Sequence, residues 1–171
     1  MSGKLLAGGI VLISLIFGAI VYYTQVYYYY QDVPADQAVV RLTVLASGEL
    51  EEIPTTDLRA IDATSSPIRY RACFTTPLSL AMMSETYESY DGAAPRNAPG
   101  WFDCFDAAAI GAEIEAGTAL VFTGQRNIEY GIDRVVAVTG DGRGYVWEEI
   151  NECGDKAYDG TPLGENCPPR E

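Results

Sequence analysis

Residues 5–23 read LLAGGIVLISLIFGAIVYY, an almost unbroken apolar run with no charge after Lys4. Its 19 residues at about 1.5 Å rise make a helix of roughly 28 Å, close to the hydrocarbon thickness of a bilayer. Tyr22, Tyr23, Tyr27, Tyr28, Tyr29 and Tyr30 crowd its far end. Tyrosine carries an apolar ring and a wet hydroxyl, and so favours the headgroup zone. Residues 1–30 therefore read as a transmembrane anchor with a tyrosine-rich interfacial segment. Residues 31–37, QDVPADQ, form a short polar linker.

From residue 38 the pattern changes to short alternating stretches. In residues 38–46, Val40, Leu42 and Val44 alternate with Val39, Arg41 and Thr43, as in a half-buried strand. Ser47 and Gly48 turn the chain, and residues 49–54 start a second strand. Residues 55–63, TTDLRAIDA, hold one helical turn capped by Thr56 or Asp57. Residues 68–74, IRYRACF, place Ile68, Tyr70, Ala72 and Phe74 on one strand face and Arg69, Arg71 and Cys73 on the other. Thr76 followed by Pro77 predicts a helix start, with Leu78, Met82, Met83 and Tyr90 on its apolar face and its end near Tyr90. Residues 91–100 are a loop rich in proline and glycine.

Trp101, Phe102, Cys104 and Phe105 then form an aromatic knot around a cysteine. Asp106 caps a second helix over residues 107–116, closed by Gly117 as the residue after the C-cap. Residues 118–123 are a buried strand and residues 124–132 a polar connection. Residues 134–139 and 145–150 flank Gly140-Asp141-Gly142-Arg143-Gly144, a hairpin. The tail, 151–171, carries two cysteines. The order β-β-β-α-α-β-β-β gives an α+β domain over residues 38–171: a small antiparallel or mixed sheet with two short helices on one face, braced by two disulfides.

Charge sharpens the membrane reading. The chain has a net charge of −13, and beyond the helix ten Lys/Arg meet all 24 Asp/Glu. Lys4 lies before the helix, and Arg41 is the one basic residue within about twenty positions after it, so the N-terminus is expected inside and the domain outside. An acidic domain is a poor partner for nucleic acid. The apolar run exceeds a signal-peptide core, no small-x-small site follows it, and no cysteine near its end offers a lipid attachment site; an uncleaved anchor is expected. Within the helix Gly3, Ala7, Ser14 and Gly18 share one face, which Gln25 continues. Small residues admit a second membrane helix, although glycine and serine are common in such helices in any case.

The four cysteines, Cys73, Cys104, Cys153 and Cys167, all follow the helix. An even count in an exported domain indicates disulfides. Of three possible pairings, Cys73 with Cys104 and Cys153 with Cys167 is the simplest. With no histidine in the chain, Ser-His-Asp and Cys-His catalysis and typical zinc chemistry are excluded. The glycine-rich segment joins two strands rather than opening a helix, so it is a turn and not a phosphate loop. Asp155, Asp159 and Glu165 match no calcium-loop spacing. Asp103 with Asp106, and Glu148 with Glu149, are the nearest approach to a carboxylate pair. Met82 and Met83 read as core rather than metal ligands. Arg69 and Arg71, with Arg126 and Arg134, either pair with local acids or anchor a partner's carboxylates.

The stretch from SPIRYRACFTTP through APGWFDCFDA and GQRNIEYGIDRVVAV to ENCPP resembles an uncharacterised alphaproteobacterial, Rhodobacter-like family of single-pass membrane proteins with a domain of unknown function. Gln125 stands where the family motif has an acid. The resemblance implies a bacterial inner-membrane protein with a cytoplasmic N-terminus and a periplasmic domain, and it implies no activity. The expected function is a non-catalytic accessory or interaction protein without cofactor. Its partners would be the bilayer and another membrane protein, as in a small subunit or assembly factor of a respiratory or photosynthetic complex. The alternative is a periplasmic binding module for a small ligand or peptide, using Trp101, Phe102, Arg69, Arg71 and Arg126; a carboxylate-based hydrolase is the third reading.

Overall fold

The computed structural model describes residues 3–162, 164 and 167–169. Helix α1 spans Gly3–Tyr23, buries no residue, and is long and apolar enough to cross a membrane. It widens into a π-helical turn, Thr24–Tyr28, in which the Tyr29 N–H donates to the Thr24 carbonyl at 3.1 Å. The chain then leaves the helix as strand β1, Tyr30–Asp32. The segment expected as a linker thus begins as an edge strand. Its first residue, Tyr30, leaves the tyrosine cuff and packs on the domain core, while Tyr22, Tyr23, Tyr27 and Tyr28 stay exposed.

Two sheets build the domain. The larger is fully antiparallel, in the order β1-β4-β5-β8-β7-β6, with β4 at Thr56–Ala63, β5 at Arg71–Thr75, β6 at Ala119–Glu129, β7 at Ile132–Thr139 and β8 at Arg143–Ile150. The smaller is a hairpin of β2, Arg41–Thr43, and β3, Leu50–Glu52. Both faces of the large sheet are covered, which explains why β7 reads VVAV without alternation. On one face Tyr70, Ala72, Phe74, Val136, Val138 and Val146 meet Leu42, Met83 and Tyr87. On the other, Ile61, Cys73, Val135, Ala137, Tyr145 and Trp147 meet Phe102, Phe105 and Ile110. Helix α2, Leu80–Thr86, carries Met83 and so covers the first face; α3, Ala107–Glu115, carries Ile110 and covers the second. The helices therefore lie on opposite faces, not on one.

Several local expectations are corrected by pairing between distant segments. Residues 56–63 form a strand, not a helical turn, because Ile61 and Ala60 point to opposite buried faces, a period of two that a helix cannot deliver. Helix α2 starts three residues late. Ser79, not Thr76, accepts from the Met82 N–H, while the Thr76 hydroxyl accepts from the Leu78 N–H at 3.3 Å in a local turn before the helix. It also stops at Thr86, because Tyr87 turns extended to bridge Val44, and Ser89 bridges Phe122. The polar residues 124–129 continue β6 rather than forming a connection; Gln125 faces Arg134 and Glu129 faces Ile132 across two register shifts.

Other expectations hold. Asp106 caps α3 by accepting from Ala108 and Ala109 N–H. Gly117 takes the left-handed φ of 69° after it. The β7–β8 hairpin turns through Gly142, φ 86°. Disulfides join Cys73 to Cys104 and Cys153 to Cys167.

Candidate functional site

The last carbonyls of any helix lack intrahelical donors. At the end of α1 two domain side chains supply them. Arg69 donates through Nη1 to the Gln25 carbonyl at 3.1 Å and through Nη2 to Gln25 Oε1 at 2.7 Å. Trp101 Nε1 donates to the Val26 carbonyl at 2.7 Å. A guanidinium at a helix C-terminus is also favoured by the macrodipole. Tyr30 packs between these two clamps: Trp101 meets its ring edge-on at 6.0 Å and Arg69 lies over it at 5.5 Å. The end of the apolar helix is thus hydrogen-bonded to the domain at two side chains.

Beneath the clamp lies Arg71, 3% exposed. It donates to four backbone carbonyls: Arg96 at 2.9 Å, Ile68 at 2.9 Å, Tyr70 at 2.6 Å and Asn97 at 3.3 Å. Among the described residues neither Arg69 nor Arg71 has an ion-pair partner. Burial pulls the Arg71 guanidinium below its ordinary value; Tyr30 and Glu148 oppose that, and Arg96 adds to it. Two of the four carbonyls belong to the loop 96–105, which the Cys73–Cys104 disulfide pins to the same face of β5. The disulfide, Arg71 and Trp101 therefore act on one loop.

Between loop and helix end is a cavity of about 420 Å³. Gln25, Val26, Tyr30, Arg69, Arg71 and Arg96 are among its lining residues, and no acid is. Arg96 pairs with Glu149 at 2.8 Å, while its buried Nε has no partner among the described residues.

A second polar cluster lies at the β6–β7 end. Asp133, fully buried, accepts from the Asn127 N–H at 2.8 Å, Asn151 Nδ2 at 2.7 Å and Arg126 Nη1 at 3.3 Å. Arg126 also pairs with Glu88 at 2.5 Å and covers Tyr90, whose hydroxyl is pushed up to about 12 by burial and by Asp133. A cavity of about 650 Å³ opens beside it. Arg126 bridges the two acids Glu88 and Asp133, and the cluster braces the strained turn at Asn127, φ 48°, against Asn151.

The sequence-derived residues thus separate. Arg69, Arg71, Trp101 and Phe102 converge on the helix–domain junction, whereas Arg126 belongs to the Asp133 cluster. Phe102 and Phe105 are buried in the core, and Phe102 with Trp101 also borders a hollow of about 210 Å³. Gly3, Ala7, Ser14 and Gly18 lie on the exposed helix, with nothing within 4 Å of a Cβ built at Gly3 or Gly18. Asp103 pairs with Arg59 at 3.0 Å, Asp106 caps α3, and Glu148 and Glu149 pair with Arg134 and Arg96. Met83 is core and Met82 is half-exposed. Among the described residues no three His, Cys, Asp or Glu gather as metal ligands. Glu165 lies outside the described residues. Sequence reasoning missed Arg96 and the Gln25–Val26 carbonyls as partners of Arg71, Arg69 and Trp101; Gln25, a polar residue on the helix's small-residue face, was the one available signal.

No curated protein and no solved structure matches the chain. The model of a family of unknown function, DUF6446, matches residues 40–168, from the eve of β2 through β8 and all four cysteines, and the chain belongs to that family.

Proposed function

We propose that the protein is a non-catalytic, membrane-anchored interaction protein that holds its domain on the periplasmic face of a bacterial inner membrane. One observation carries the reading: Arg69 and Trp101 cap the end of α1, so the helix and the domain move as one body. A tether would serve to localise a domain; a fixed joint serves to present a domain and a helix face together. The Gly3, Ala7, Ser14 and Gly18 face, unburied within this chain, is the surface a partner helix would use. The two disulfides accord with an oxidising compartment. A small subunit or assembly factor of a larger complex fits this arrangement.

Crosslinking in cells, followed by capture in mild detergent, tests it. The wild-type protein is expected to bring down one partner in fixed ratio, and Ser14→Leu with Gly18→Leu to lose it without losing membrane insertion. A protein that migrates alone after crosslinking overturns the reading.

A further inference from the structure

We infer that the arginine cavity at the helix–domain junction binds the phosphate of an anionic phospholipid headgroup. Three arginines, Arg69, Arg71 and Arg96, line it with no carboxylate, in a chain of net charge −13. Glu149 neutralises Arg96. Glu148, the acid that acts most strongly on Arg71, is itself paired with Arg134 at 2.6 Å. Neither Arg69 nor Arg71 has an ion-pair partner among the described residues. A guanidinium has five N–H donors. Arg69 spends two of them on Gln25, so three remain for an anion at the cavity.

Depth selects the anion's source. The apolar run ends at Tyr23, and the cavity's rim residues Gln25 and Val26 lie two and three positions beyond it, or about 3–5 Å along a helix axis. Headgroups occupy roughly the 5–8 Å outside the hydrocarbon on each side. The cavity mouth is therefore at phosphate level in whichever leaflet the domain faces. Tyr22, Tyr23, Tyr27 and Tyr28, exposed around the same turn, mark that level independently. Arginine suits the task because its planar fork grips two phosphate oxygens at once. Val26, Ile68 and Pro99 add an apolar wall where the glycerol and the first acyl carbons would lie.

The inference rests on the helix crossing a membrane, and the test separates the two. The full-length protein is incorporated into phosphatidylcholine vesicles containing phosphatidylglycerol, and flotation reports anchoring. The protein is then extracted into mild detergent, and lipid retained on it is identified by native mass spectrometry. Preferential retention of one phosphatidylglycerol is expected. Arg69→Gln and Arg96→Gln should each reduce it about tenfold, Arg69→Lys should fall between Arg69→Gln and the wild type because lysine keeps the charge but not the two-oxygen grip, and Arg143→Gln, a charge lost elsewhere, should leave it unchanged. Circular dichroism confirms that each variant is folded. Protein that floats but holds both lipids equally overturns the headgroup site alone; protein that does not float overturns the anchor as well. Displacement of the lipid by millimolar inorganic phosphate overturns the lipid as source and assigns the cavity to a soluble anion.

Discussion

Replacing Cys73 and Cys104 together by alanine tests how the junction is held. The bond spans 31 residues. Restricting the unfolded chain over that span contributes, by loop-closure entropy, about 12 cal/mol/K, or about 3.7 kcal/mol at 25 °C. The Cys153–Cys167 bond spans 14 residues and by the same relation contributes about 3 kcal/mol. The two losses are thus similar, but their local effects are not. Cys104 pins the loop that presents the Arg96 and Asn97 carbonyls to Arg71 and the Trp101 indole to Val26. Cys153 and Cys167 tie the tail instead. Urea unfolding of the full-length protein in detergent, followed by circular dichroism, should lose about 3–4 kcal/mol in the first pair of substitutions, with a higher m-value because the released unfolded chain exposes more surface. Trp101 should also become more accessible to a fluorescence quencher in that variant and not in the tail variant. A loss below about 1 kcal/mol, or equal quenching in both, would refute the claim that this disulfide organises the junction.

Two further perturbations probe the sheet. A Cβ at Gly144 would overlap the Phe74 ring across the β5–β8 pair, so Gly144→Val should cost at least about 2 kcal/mol, seen as a lower Tm with an unchanged fold at low temperature. Asp141 accepts from the Thr139 hydroxyl and from Arg143 Nε, and these hydrogen bonds pull its carboxyl down from 3.8 to about 2. A depressed pKa adds stability that is complete above 3.8 and disappears as pH falls toward 2. Asp141→Asn should therefore lower Tm near neutrality and leave it unchanged at about pH 2; a constant difference across the range would contradict this assignment.

What the sequence disclosed is what short-range chemistry determines. The apolar run, the Asp106 cap, Gly117 after α3 and the hairpin at Gly142 each need a few neighbouring residues, and each is where it was expected. The errors lie where distant segments compete. TTDLRAIDA contains a capping residue and reads as a turn, yet pairing with β1 and β5 makes it a strand. The polar residues 124–129 look like a loop because their side chains are solvated, while their backbone is paired with β7 and held by Asp133. Half of the junction was legible: Arg69, Arg71, Trp101 and Phe102 were singled out as arginine and aromatic residues in unusual company. Arg96, in a proline-containing loop, and the backbone of Gln25 and Val26 carry no such mark. A disulfide and a strand pairing bring them there.

The central claim is that helix and domain form one body, with the arginine cavity held at the membrane surface. Spin labels introduced as noncanonical residues at Leu12 in α1 and Glu115 at the end of α3, both exposed, report it by double electron–electron resonance in lipid nanodiscs. A single narrow distance distribution is predicted for the otherwise unmodified protein, broadening when Arg69→Ala and Trp101→Phe remove the caps. A broad distribution in the unmodified protein, or a narrow one that survives both substitutions, would contradict the account.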